Sequence, residues 1–261
     1  PKADAADEFE TLREKYKVML NGGKAYNLSD PDIAARINSI TVTAQGYWDS
    51  MIKDPNKNRL WNDAPFGNDS SGITTTYEHL YAMALAYTTY GSSLQGNAAL
   101  KADIISGLDW MNANQFYDGC TKYQNWWHWE IGGPLALNNI VALMYSDLTA
   151  TQISNYMAAI YYTQSSVTMT GANRLWESQV ITISGIINKD AVRIAAGRDG
   201  LSGLLPYVTK GDGFYTDGSF VQHNYYAYNG GYGTGLLAGI AELMYILNGS
   251  SWEVADPNKD N

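Results

Sequence analysis

The stretch from Asp212 to Gly235, Asp-Gly-Phe-Tyr-Thr-Asp-Gly-Ser-Phe-Val-Gln-His-Asn-Tyr-Tyr-Ala-Tyr-Asn-Gly-Gly-Tyr-Gly-Thr-Gly, concentrates groups able to move protons. It sets one histidine among tyrosines and glycines and contains no Lys, Arg or Glu. His223 can take or give a proton near neutral pH, whereas a tyrosine, with an ordinary pKa of about 10, must be pushed down before it acts as a base. The composition is poor for a helix and suits a rigid polar loop lined with rings. The tyrosines could also simply pack between helices and satisfy their hydroxyls. Their density favours a binding or reacting surface.

Two further stretches carry chemistry. Asn125-Trp126-Trp127-His128-Trp129-Glu130-Ile131-Gly132-Gly133-Pro134 places three tryptophans within four residues. They cannot all face one side of a core helix, so at least one is expected to reach a cleft. Trp126 and Trp127 are candidate platforms for a sugar ring, while Trp129 and Ile131 read as anchors for the next helix. His128 and His79 read first as structural hydrogen-bonding groups. Thr170-Gly171-Ala172-Asn173-Arg174 precedes an apolar helical run from Leu175. Asn173 could cap that helix, or its amide could donate two hydrogen bonds to a carboxylate.

The elements that must hold these stretches are helical. Phe9, Leu12, Tyr16 and Met19 recur at spacings of three and four, predicting a helix from Asp7 to Leu20 that Gly22 and Gly23 stop. Ser29-Asp30-Pro31-Asp32 opens a second helix through about Ile52. Lys53 to Gly72 reads as a long polar loop. Further helices are predicted over Tyr77 to Tyr90, Asn97 to Asn114, Pro134 to Tyr145, Thr149 to Tyr161, Leu175 to Gly197 and Gly235 to Leu247. Short turns between some of them imply antiparallel hairpins. No run sustains period-2 alternation, so no dominant sheet is expected.

Composition bounds the function. The net charge is −9 over 261 residues, with no basic patch, which argues against nucleic-acid or anionic-membrane partners. It does not exclude an anionic substrate that one local group could meet. Eight Trp and 20 Tyr against 16% charged residues supply flat rings with polar edges, the kind of surface on which sugars stack. Cys120 is the single cysteine, so no internal disulfide forms, which neither requires nor excludes export. No 18-residue apolar run and no signal-like start at Pro1 are present. No metal-ligand spacing is readable. Asp212, Asp217 and Asp256 look like turn formers, and His79 and His128 lack ligand partners.

The Asn-Trp-Trp motif at 125, Thr-Gly-Ala-Asn-Arg at 170 and Asp-Gly-Ser-Phe-Val-Gln-His followed by Tyr-Asn-Gly-Gly-Tyr-Gly occur in order and at matched spacing. Together they resemble polysaccharide lyase family 8, which includes hyaluronate, chondroitin AC and xanthan lyases. Trp-Trp-His-Trp, and Gln222 directly before His223, fit the xanthan lyase branch. The resemblance runs from Asp7-Glu8-Phe9 to Trp252-Glu253-Val254-Ala255-Asp256-Pro257. It implies an all-α fold, an incomplete α/α toroid of helical hairpins with a substrate cleft, over residues 1–261, without the family's C-terminal β-sandwich domains. It also implies a secreted bacterial enzyme that cleaves an acidic polysaccharide by β-elimination at C4 of a uronic acid, with no cofactor at the catalytic site. Matched by position, the catalytic residues are Asn173, His223 and Tyr232. Trp126, Trp127, His128, Arg174, Gln222 and Tyr226 are expected to contact substrate. The family's activating arginine comes from a helix downstream of residue 261, with Arg174 as a substitute candidate. The chain is therefore expected to be one piece of a longer polypeptide, with the remaining C-terminal part of the same enzyme as a separate chain.

Two other classes stay open on the residues alone. An inverting glycoside hydrolase on a helical toroid could use Glu130 with Asp212 or Asp217. A non-catalytic polysaccharide-binding module could use Trp126, Trp127 and the tyrosines without cleaving anything.

Overall fold

The computed structural model describes residues 5–260; Pro1 to Asp4 and Asn261, at the ends of the expected 1–261 domain, lie outside the described residues. The chain is mostly helical: α1 (Ala5–Asn21), α2 (Pro31–Ser50), α3 (Ser71–Thr88), α4 (Ala98–Asn114), α5 (Gly133–Met144), α6 (Ala150–Thr163), α7 (Gly171–Asn188), α8 (Ala191–Leu201) and α9 (Thr234–Leu247). No described helix is long and apolar enough to cross a membrane. The capping signal before Pro31 acts as read. Asp30 accepts the backbone N–H groups of Asp32 and Ile33 at 2.9 and 3.3 Å, with Pro31 opening α2. Asn97 does the same for Ala99 and Leu100, both at 3.0 Å, at the start of α4.

The structure corrects three of the sequence expectations. α3 begins at Ser71 rather than Tyr77, because Asp69 takes the Ser71 N–H at 2.8 Å and its hydroxyl at 2.7 Å. The run Gly72-Ile73-Thr74 is buried, and that burial overrides its weak helix propensity. The single helix expected from Leu175 to Gly197 is two. Lys189 turns left-handed at φ 56° and ends α7, and Asp190 then accepts the Arg193 N–H at 3.0 Å to start α8. The stretch read as a loop contains a small antiparallel sheet, β1 (Gly213–Phe214), β2 (Phe220–Gln222) and β3 (Tyr226–Ala227), in the order β1-β2-β3. Gly213 pairs with Val221 and Gln222 with Tyr226.

The chain divides into two compact units. In the unit Arg13–Thr163, α3 packs against α2, α4 and α5, and α4 also meets α6. Its core carries a chain of rings. Tyr77 meets Phe116 edge-on at 5.6 Å, Phe116 stacks on Trp129 at 6.1 Å, and the buried Trp129 indole donates to the Tyr123 carbonyl at 2.9 Å. Burying such a side chain stabilises by about 1.5–3 kcal/mol before entropy is counted. His79 is buried in the same unit. It stacks on Tyr47 at 3.8 Å and faces Trp61 edge-on at 5.0 Å, with Nε2 3.6 Å from Asp63 and no partner for Nδ1 among the described residues.

In the other unit, the chain up to Leu12 joins Gln164 onward, and α7 is its centre, packed by α8 and α9. Leu175, Val180, Ile181, Ile183, Ile186 and Ile187 are all buried, so α7 is apolar around most of its circumference. Gly197 lets α8 approach α7 closely. A Cβ there would stand 2.2 Å from Thr182 Oγ1 and 2.7 Å from the Thr182 backbone nitrogen.

Gly197→Ala is therefore expected to lower stability by about 1–3 kcal/mol. Gly46→Ala, at an exposed site inside α2 where an added Cβ meets nothing within 4 Å, is expected to raise it by about 0.5–1 kcal/mol. Chemical denaturation of the two variants checks the opposite signs. A pH dependence follows from His79. Burial lowers its pKa, opposed in part by Asp63, so the folded protein favours the neutral ring while the unfolded chain takes up the proton at about pH 6.5. Stability is fully present above that pH and is lost as the pH falls towards the folded pKa. Melting curves of wild type and His79→Gln between about pH 7 and 5 should show a flatter decline for the variant; equal slopes would remove His79 from the account.

Candidate active site

The first turn of α7 and the end of β2 are joined by one buried amide. Gln222 is 1% exposed, Oε1 accepts the Ala172 N–H at 3.0 Å, and Nε2 donates to Asp212 Oδ2 at 3.0 Å. Gly171 makes this approach possible. It sits at φ +54°, and a Cβ there would lie 2.3 Å from Gln222 Oε1. Asp212 Oδ2 also accepts the Thr170 hydroxyl at 2.7 Å, and Oδ1 accepts the Asn224 N–H at 2.6 Å. From within α7, the buried Glu177 carboxylate accepts the N–H groups of Thr168 and Met169, both at 2.8 Å, fixing the approach to the helix. The N-cap of α7 is Thr170, whose side chain makes no capping bond. Asn173 lies in the first turn, beyond the cap position, so the capping role left open for it does not apply.

β2 hands over to a turn in which His223 and Asn224 both have positive φ, 55° and 70°. Non-glycine residues in this region are strained by roughly 1–2 kcal/mol each, and such strain gathers at functional sites. His223 is exposed, and its ring meets that of Tyr232 edge-on at 5.4 Å. Tyr232 stands in a π-helical turn, Asn229–Gly233, that leads into α9. Its half-buried ring is also bounded by Tyr228 at 4.9 Å and Trp176 at 5.8 Å. Trp176 follows Asn173 by three positions on α7, so the two share a helix face. Asn173, His223 and Tyr232 are thus carried by α7, the β2–β3 turn and the π turn of a single unit.

The other candidates fall in two places. Tyr226, on β3, is 55% exposed and packs on Tyr225 at 4.8 Å. Arg174 donates through Nε to the Gly200 carbonyl at 2.7 Å and through Nη1 to Met169 at 3.4 Å, which ties α7 to the end of α8. Gln222, expected to touch substrate, is buried with both ends of its amide bonded to protein; it braces the site. Trp126, Trp127 and His128 belong to the unit Arg13–Thr163. Trp126 is 37% exposed, and Trp127 meets the His128 ring edge-on at 5.3 Å. His128 opens a second π turn, His128–Gly132, and its Nδ1 lies 2.9 Å from Thr74 Oγ1. Burial holds its pKa below the usual histidine range, with Asp69 pulling the other way. Sequence reasoning missed Trp176 and Tyr228 as neighbours of Tyr232. The three-residue spacing from Asn173 was the available signal for Trp176. Among the described residues, no three His, Cys, Asp or Glu side chains gather as a metal site would need.

Comparison with known proteins places the chain in a family by sequence and by fold. Residues 16–261 match the family described as polysaccharide lyase family 8, N-terminal alpha-helical domain. A xanthan lyase from Bacillus sp. (strain GL1) is 46% identical over 262 residues, covering 99% of this chain and 28% of that protein. The structure of a Paenibacillus xanthan lyase superposes with a TM-score of 0.96 at 83% identity, covering 98% of this chain and 25% of that one. A Streptomyces coelicolor A3 chondroitin AC lyase, solved in complex with chondroitin sulphate, superposes at 0.91 with 36% identity, over 97% of this chain and 35% of its own. The chain thus spans about a quarter to a third of the length of these relatives. With nearly all of its length inside the family match and its fold shared with these lyases, the chain belongs to polysaccharide lyase family 8.

Proposed function

We propose that this chain carries the reacting residues of a secreted bacterial polysaccharide lyase that cleaves a uronic-acid-containing polymer by β-elimination, with the mannosyl-glucuronate bond of xanthan side chains as its first substrate. The observation that carries this reading is the Tyr232 ring set edge-on to His223 at 5.4 Å, with Asn173 on the helix face shared with Trp176, itself against Tyr232. The relatives named as xanthan lyases support the choice of polymer. Export follows from the size of the polymer, which must be shortened before a cell can take it up.

The hydrogen on C5 of a uronate is weakly acidic, because its removal delivers a second negative charge into a group already ionised. Asn173 donates its amide to that carboxylate and His223 adds a hydrogen bond at the same centre, an oxyanion-type stabilisation worth several kcal/mol. Tyr232, as phenolate, takes the C5 proton; the electron pair forms the C4=C5 double bond and the C4–O4 bond breaks. The same phenol then returns its proton to the departing O4. One residue serves both steps when proton and leaving group lie on one face of the ring. The elimination as written uses no cofactor. The family's downstream arginine is the cation that favours the phenolate, Arg174 being engaged with the Gly200 and Met169 carbonyls.

In the full-length protein, Tyr232→Phe is expected to cut kcat by about 10³-fold with little change in KM, and Asn173→Ala by about 10²–10³-fold with the helix intact. The measurement is the ultraviolet absorbance of the unsaturated product on xanthan, hyaluronan and chondroitin. Polymer shortened without that absorbance would mean a hydrolase, and polymer bound but never shortened would mean a binding module; either result overturns the lyase reading.

A further inference from the structure

Asp212 read as a turn former in the sequence and as a possible acid for hydrolysis. Its surroundings point elsewhere. The carboxylate receives three donors from two separate segments: the Thr170 hydroxyl at 2.7 Å from one, and the Gln222 amide at 3.0 Å and the Asn224 backbone N–H at 2.6 Å from the other. Thr170 is the residue from which α7 starts, three before Asn173, and Gln222 and Asn224 flank His223 on either side. Gln222 closes the ring by accepting the Ala172 N–H at 3.0 Å. A carboxylate whose two oxygens already hold three hydrogen bonds, two of them at 2.7 Å or less, is poorly placed to exchange protons with a substrate. It is well placed to fix the distance between the segments that supply those donors.

We propose that Asp212 is a positioning residue for the elimination: a single carboxylate that clamps the turn bearing His223 to the first turn of α7 bearing Asn173, so that amide and imidazole meet the same substrate carboxylate. The proposal rests on the lyase reading above. The strained turn gives the clamp its purpose. With φ of 55° and 70° at His223 and Asn224, the turn is held in a sparsely populated conformation, and the Asn224 N–H to Asp212 is a hydrogen bond made inside it. Released, the turn can relax, and a shift of about 1 Å at His223 is enough to cost roughly 10²-fold in rate.

The test is made on the full-length protein with the ultraviolet assay, rates being expressed per folded molecule from near-ultraviolet circular dichroism. Asp212→Ala is expected to lower kcat by roughly 10²-fold with KM changed less than about threefold, and Asp212→Asn, which keeps one acceptor oxygen, to recover part of that loss. In an Asn173→Ala background the Asp212→Ala loss should shrink to a few-fold, because the clamp then has one fewer group to place. A loss that follows only the folded fraction, or that multiplies in full with Asn173→Ala, would overturn the positioning role. Should Asp212→Ala fail to fold, Thr170→Val removes one donor and leaves the carboxylate; about a three- to tenfold fall in kcat supports the clamp and an unchanged kcat refutes it. Tyr232→Phe runs alongside. An active Tyr232→Phe overturns the lyase chemistry and the clamp with it, whereas an inactive Tyr232→Phe beside a fully active Asp212→Ala overturns the clamp alone.

Discussion

One buried amide governs the geometry of the candidate site. Gln222 is nearly inaccessible, and a buried amide left without partners would cost about 1–3 kcal/mol for each unmet group. Its carbonyl is met by the first turn of α7 and its nitrogen by Asp212, which also holds Thr170 at the start of that helix, so β2 cannot slide along the helix without breaking the bonds to Ala172 and Thr170. Strand periodicity adds a second lock. Phe220 and Gln222 face inward while Val221 between them is only half-buried, and a one-residue slip would turn the inward pair to solvent. The pairing of Gln222 with Tyr226 then fixes where the His223 turn begins and ends. A sheet of two- and three-residue strands would be marginal alone, and it persists because a helix buried on nearly every side gives it a rigid wall.

Local irregularity is concentrated where candidate residues sit. Two π-helical turns, His128–Gly132 and Asn229–Gly233, each lead directly into an α-helix, the first ending in Gly132 before Gly133 and the second containing Gly230-Gly231. π turns have weaker hydrogen bonding than α-helix and recur at functional sites, where the extra residue re-aims a side chain. In one the turn carries Tyr232, and in the other it starts at His128. The left-handed pair at His223 and Asn224 belongs to the same pattern. Such conformations survive where surrounding contacts over-determine them, here the Asp212 carboxylate and the two flanking strands.

What the chain reveals before its structure is known depends on the range of the interaction. Local signals were legible. Asp30 before Pro31 marks a helix start, and the spacing of Phe9, Leu12 and Tyr16 marks a buried face. The break at Lys189 was not, since neither Gly nor Pro punctuates it and the left-handed residue is a lysine. The small sheet was hidden because strands this short carry no readable alternation. Asn173, His223 and Tyr232 were singled out as candidates through a family resemblance, as residues. Their bracing was not. Asp212 acts across 10 residues to Gln222 and 42 to Thr170, and no local pattern in either segment encodes that meeting. Gln222 was singled out through the resemblance as a substrate contact, and its burial, with both ends of the amide bonded to protein, was hidden for the same reason.

Four carboxylates near Asn173, His223 and Tyr232 in the sequence of their unit bear on which chemistry it can run. Asp212 holds three donors, Glu177 holds the Thr168 and Met169 backbone, Asp217 is folded onto its own turn by the Ser219 N–H and hydroxyl at 2.9 and 2.7 Å, and Asp190 caps α8. Bonds from Ser219 also hold the Asp217 carboxyl below the usual carboxylate range, the opposite of what a general acid at neutral pH requires. A hydrolase needs one carboxyl that keeps its proton and a second that activates water, and each of these four is committed to holding backbone or side chain in place. An imidazole on a strained turn and a phenol packed among rings are left facing each other at 5.4 Å. These four acids hold the frame, a division that suits the proposed elimination, in which the substrate brings its own carboxylate and the rings are left to handle the proton.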